Sequence, residues 1–92
     1  MFNRLRIFFN IEYKEGKEYW IPTKNIIITS HFLQHYPVIE KLRTKMEIYE
    51  KTGTLCPIII NRNFELVDGY CFYLILKEYK LGKIPVYFDY SK

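Results

Sequence analysis

Asp68 and Gly69 form a corner between an apolar run and a segment of helical character, and Tyr70 and Cys71 follow directly. A helix that begins on such a corner presents its first backbone N–H groups to an approaching anion, and glycine lets a ligand come close to the backbone. Asp68, Gly69, Tyr70 and Cys71 are therefore the candidate anion or nucleotide site. A thiol at a helix N-terminus can also act as a nucleophile. Cys71, however, is followed by Phe72 and Tyr73 rather than by a base or a phosphate ligand, so a packed structural thiol is the expected role.

Two other sets of residues have chemical potential. His31 and His35 are four apart, so one helical turn places both imidazoles on a single face, a spacing that suits zinc. Neither a cysteine nor a carboxylate stands nearby in sequence to complete the ligand set, and no metal site is expected. Arg4, Arg6, Lys17 and Lys24 are interleaved with Trp20, Tyr13 and Tyr19, a mixture that could contact phosphates and stack bases on an exposed sheet. Arg4, Arg6, Lys17, Trp20 and Lys24 are thus candidate nucleic-acid contacts; the plainer expectation is a hairpin with its aromatics packed inward.

The elements that must position these groups can be read from periodicity. Residues 4 to 13 are rich in strand formers, Lys14 to Lys17 supply a glycine-containing turn, and Glu18 to Pro22 read as the returning strand of an N-terminal hairpin. Asn25 to Ile28 is a short apolar run, and Thr29 or Ser30 can cap a brief helical turn through His35, interrupted by Pro37. Val38, Ile39, Leu42, Met46 and Tyr49 recur at helical steps up to Gly53, which predicts an amphipathic helix. Pro57-Ile58-Ile59-Ile60 is apolar throughout and predicts a central strand covered on both faces. After the turn at Asn61 to Asn63 a second strand returns through Val67, Asp68 caps a helix reaching about Leu81 with Gly82 as its stop, and Ile84 to Tyr90 form the last strand.

The 92 residues bound a single domain, 1–92. Nine Tyr, seven Phe and one Trp let a few large rings fill a small core. A net charge of +4 permits attraction to phosphates, although Lys and Glu alternate through most of the chain as on a solvated face. Cys56 and Cys71 lack CxxC spacing, and no apolar run approaches the length of a membrane span. A reducing, cytoplasmic location without membrane attachment is expected.

Gly53, Pro57, Ile58, Asp68, Gly69, Tyr73, Leu74, Ile84, Pro85 and Val86 fall in order on a pattern that resembles the ParB/sulfiredoxin superfamily. That pattern is a helix, a Gly-x-x-x-Pro-Ile strand, a short return strand, and a glycine corner leading into a second helix. The resemblance implies an α+β fold with a small mixed sheet and two main helices, here preceded by the N-terminal hairpin. In that superfamily the corner reads Asp-Gly-His-His-Arg-Tyr in kinase-like and nuclease-like members, Gly-Glu-Arg-Arg in partition proteins, and Gly-Gly-Cys-His-Arg in sulfiredoxins. Aligned on Asp-Gly and Tyr-Leu, the present chain carries Tyr70 and Cys71 at the two His positions and Phe72 at the Arg position. A one-residue slip would align Cys71 with the sulfiredoxin cysteine, at the expense of that register. Gln34 lies where partition proteins carry a nucleotide-contacting Gln, and the resemblance adds it to the candidate site.

Phe72 cannot replace the bidentate phosphate contacts of a guanidinium. The expected function is a non-catalytic ParB-like binding module, without a cofactor, whose partner is DNA, a nucleotide, a protein or a second copy of the chain. The alternatives are a nuclease or nucleotide-dependent phosphotransferase with an atypical site, and a small protein-protein interaction protein.

Overall fold

In a computed structural model, which describes residues 12–54 and 56–92, four short strands hydrogen-bond in the order β1-β4-β2-β3. They are β1 (Tyr19–Pro22), β2 (Ile58–Ile60), β3 (Leu66–Asp68) and β4 (Lys83–Phe88). The sheet is mixed: β1 runs antiparallel to β4, β2 parallel to β4, and β3 antiparallel to β2. Helices α1 (Ser30–Gln34), α2 (Ile39–Thr52) and α3 (Tyr70–Glu78) complete the α+β arrangement expected from the sequence.

Alternation along β4 explains which way the sheet faces. Ile84, Val86 and Phe88 point into the core, while Lys83, Pro85 and Tyr87 point away from it. Pro85 precedes the stretch Val86–Phe88 that pairs with β2, so its missing N–H leaves that ladder whole. In β2, Ile58 and Ile60 are fully buried and Ile59 is only half-buried. β2 is central, as predicted, but it is covered on one face rather than two: Ile59 lies opposite Asp68 and Tyr87 on the open face. Between the Ile59–Asp68 and Ile60–Leu66 pairs the register shifts, leaving Val67 as a bulge.

α3 supplies most of the helical core, because Tyr70, Cys71, Phe72, Tyr73, Ile75 and Leu76 are all buried. Leu74 is half-buried and packs at the margin of this core. The helix ends at Glu78, short of the predicted Leu81, and Lys80 at φ 59° rather than Gly82 carries the left-handed turn. α2 lies against this core through Leu42, Met46 and Tyr49, none of them fully buried, and stops on Gly53 at φ 69°. Val38 and Ile39, expected on the same apolar stripe, are exposed.

The first strand of the expected hairpin falls on residues 4 to 13, which apart from Glu12 and Tyr13 lie outside the described residues. The turn at Lys14–Lys17 is present, with Gly16 at φ 81°, and β1 pairs with β4. Tyr13 stacks on Phe88 with centroids 4.6 Å apart and meets Tyr19 edge-on at 5.0 Å. The Tyr90 hydroxyl donates to the Tyr13 carbonyl, and the Tyr90 N–H to Glu15 Oε2. Ile26 is buried, and Ile27 forms a single parallel bridge to Glu65 at the β3 edge.

Candidate functional site

Gly69 sets the geometry of the Asp68 corner. At φ 91° it occupies the left-handed region, and a Cβ there would stand 2.8 Å from the Pro57 carbonyl oxygen and 3.0 Å from Ile58 Cα. Only glycine lets α3 start this close to the strand before it. Gly69, not Asp68, is the residue preceding the helix, and no side chain caps it. Asp68 Oδ1 instead accepts the Gly69 N–H at 2.8 Å, so its carboxylate is held at the corner and remains solvent-exposed.

A cleft of about 590 Å³ opens beside this corner. One wall is α1 and the segment after it, with His31, Phe32, His35 and Pro37; another is α2, with Lys41 and Lys45; Cys56 and Pro57 close a third side before β2. Asp68, Gly69, Tyr70, Cys71 and Phe72 line it from the corner. The rim therefore carries two ammonium groups and two imidazoles against one carboxylate. At its floor, Tyr70 lies 5.2 Å from the Phe32 ring and 6.1 Å from Tyr36, centroid to centroid. Burial, and then the neighbouring Tyr36 phenol, push the Tyr70 hydroxyl above its ordinary range; burial and Tyr70 do the same to Tyr73.

Phe72 is 5% exposed and belongs to the core, yet Lys45 Nζ sits 5.2 Å above its ring. The cation that the resemblance would put on α3 at this position is thus held over the Phe72 ring by α2. Lys41 and Lys45 are polar positions of the predicted amphipathic helix and are absent from the candidates read from the sequence. Their four-residue spacing beside Leu42 and Met46 was the available signal. Cys56, read with Cys71 as a packed thiol, is instead exposed at the cleft, and His31 and His35 were read apart from the Asp68 corner that they share a cleft with.

The remaining candidates lie elsewhere. Gln34 is exposed on α1 and is not among the residues lining this cleft. Arg4 and Arg6 fall outside the described residues. Lys17 is in the turn before β1 and Lys24 in a 3-10 turn (Thr23–Asn25) after it, both exposed. Trp20 is 57% exposed on the open sheet face, where it borders a hollow with Tyr49, Pro85 and Tyr87. The inward-packed aromatics of this region are Tyr13 and Tyr19. Among the described residues no three His, Cys, Asp or Glu side chains converge as a metal requires, and no helix is long and apolar enough to cross a membrane.

No family model matches the chain, and no curated protein does. Among solved structures it is similar to the C2221 form of a Pnob8-like ParB-N domain, with a TM-score of 0.64 and 18% identity over 78% of this chain. The pNOB8-like ParB N-domain is similar at a TM-score of 0.62, again at 18% identity over 78%. The chain corresponds to 29% and 26% of the lengths of those two chains. Its fold is that of a ParB N-domain.

Proposed function

We propose that this ParB-like fold serves as a binding module that takes an anionic ligand, a nucleotide or single-stranded nucleic acid, in the cleft beside Asp68 and Gly69, without catalysing a reaction on it. The observation that carries the reading is the convergence of Lys41, Lys45, His31 and His35 on one cleft above an aromatic floor. Ammonium groups hold phosphate as point charges, and the half-buried Phe32 offers ring surface to a base. The resemblance to partition proteins supports a DNA-associated setting for such a module. Hydrolysis is not part of the proposal. Asp68 already accepts a backbone N–H, and the Arg position of the resembled motif is a buried Phe72.

Calorimetric titration with CTP, ATP and a single-stranded oligonucleotide over a series of salt concentrations tests the reading. Binding should be weak, sequence-tolerant and salt-dependent. For the oligonucleotide, Lys41→Gln/Lys45→Gln should lower the slope of log K against log salt by about 1.4, at roughly 0.7 per phosphate contact. An unchanged slope and affinity in that variant would refute it, as would nucleotide turnover above a buffer blank that Asp68→Ala abolishes.

A second reading, docking of a protein on the open sheet face, is favoured by one feature. Trp20 stands exposed there beside Pro85 and Tyr87. Loss of a co-purifying chain on Trp20→Ser would support it.

A further inference from the structure

The cleft contains an element that the binding reading leaves unused. His31 and His35 lie one turn apart with ring centroids 4.6 Å from each other and planes tilted by 32°. His35 Nδ1 is 2.7 Å from the His31 carbonyl oxygen. A carbonyl only accepts, so this nitrogen carries the proton and donates it, which leaves Nε2 as the ring atom available to a ligand. A neutral His35 thus presents a lone pair at Nε2, and a protonated one presents an N–H with positive charge. Imidazole is the side chain that makes this exchange between about pH 5 and 8.

Resting on the proposed anion cleft, we infer that His31 and His35 form a proton-linked binding element, so that a doubly charged anion is taken up together with a proton and is held more tightly as pH falls. The groups that share the cleft with the pair fix the sign. Lys41 and Lys45 come from α2, Cys56 from the segment before β2, Asp68 from the end of β3, and Tyr70 and Cys71 from the start of α3. Two ammonium groups and two imidazoles gather at the empty cleft with no anion to offset the lysine charge. Asp68 is the one carboxylate lining it, and Oδ1 of that group is engaged by the Gly69 N–H. An incoming dianion reverses this balance. It offsets the lysine charge, draws a proton onto the pair, and receives a charge-assisted hydrogen bond where a neutral ring would have repelled it.

The probe is sulfate, whose charge is constant across the imidazole range. Its affinity for the full chain is followed by NMR titration from pH 8 to pH 5.5 at constant ionic strength. Uptake of one proton on binding should tighten sulfate by about tenfold over this range. In His31→Gln/His35→Gln the affinity should be nearly flat with pH and close to the weaker, high-pH value of the parent. Both side chains are exposed, so the melting temperature should be kept; His31→Gln alone should give a shallower slope and serves if the double variant is unstable. A pH dependence equal in parent and variants would assign the proton to another group and overturn the inference. Equal binding at both pH limits in the parent would overturn it too, leaving the cleft standing. Sulfate that fails to bind at any pH would remove the cleft reading along with it.

Discussion

Replacing Phe72 with the arginine that the resemblance expects tests how the cleft is built. Phe72 is 5% exposed, packs with Tyr73 and Leu76 in the core and carries Lys45 over its ring. Removing a buried Phe ring costs about 3 to 5 kcal/mol in comparable cores, of which an arginine stem recovers part. The guanidinium would then stand near Lys45, whose Nζ is 5.2 Å from the centre of the ring being replaced, a separation taken for the two charges. At an effective dielectric constant of about 20 that repulsion is about 3 kcal/mol, and less as the partly exposed Lys45 swings outward. Together with desolvation of the new charge, Phe72→Arg should lose at least about 4 kcal/mol. A small domain holds about 5 to 15 kcal/mol in all, and each kcal/mol moves its midpoint by about 4 to 8 °C. The variant should therefore melt roughly 16 to 32 °C lower, or fail to fold, as followed by circular dichroism in heat and in urea. Phe72→Leu, which keeps the site apolar, should lose much less. A Phe72→Arg protein of parental stability that binds nucleotide more tightly would refute the argument, because it would mean that this position opens into the cleft.

Gly69→Ala should destabilise the fold by about 2 kcal/mol or more, since both the left-handed backbone and the 2.8 Å approach to the Pro57 carbonyl oppose a Cβ; urea denaturation within half a kcal/mol of the parent would contradict this. Ile60→Ala should cost about 2 to 5 kcal/mol, and Ile59→Ala, on the half-buried face, clearly less. Equal costs would mean that both faces of β2 are covered after all. The Tyr79 phenol, held above its ordinary range first by its hydrogen bond to Glu50 Oε1, contributes stability that is present at neutral pH and is lost as pH rises through the raised folded value. Ultraviolet titration should show one tyrosine moving to lower pH in Glu50→Gln, and an unchanged curve would rule out that bond as the cause.

Much of this architecture could be read in the chain because local rules agreed with one another. Pro57 and the isoleucines marked β2, Asn61 to Asn63 marked its turn, Asp68-Gly69 marked the start of α3, and the stretch read from Ile84 to Tyr90 marked β4, which runs over Lys83–Phe88. Asn61 shows why the turn was legible: its side-chain oxygen accepts the N–H groups of both Asn63 and Glu65, a bond pattern that asparagine makes locally. Three consecutive isoleucines, by contrast, hide which of them faces outward, and only pairing with Asp68 and Tyr87 decides it for Ile59. The end of α3 was misjudged because Gly82 looked like the stop, whereas Lys80 takes the left-handed turn two residues earlier. The cleft was illegible for a different reason. Lys41 and Lys45 are ordinary solvent-side residues of an amphipathic helix until tertiary packing sets α2 next to α1 and the Asp68 corner.

The order β1-β4-β2-β3 has a kinetic consequence. β2, β3 and α3 are neighbours in sequence and pair across a short turn, whereas β1 joins the sheet by pairing Tyr19 with Val86, across most of the chain. Closing that span costs far more chain entropy before any ladder bond repays it, so β1 should dock last and detach first. The cleft draws on His31 through Phe72 and takes no residue from β1. Loss of that strand would therefore free Trp20 and uncover one side of β4 while the half that forms the cleft stays assembled. Amide exchange should register this as β1 protons leaving ahead of those of β2 and α3, and exchange of all three at one rate would show instead that the sheet opens as a whole.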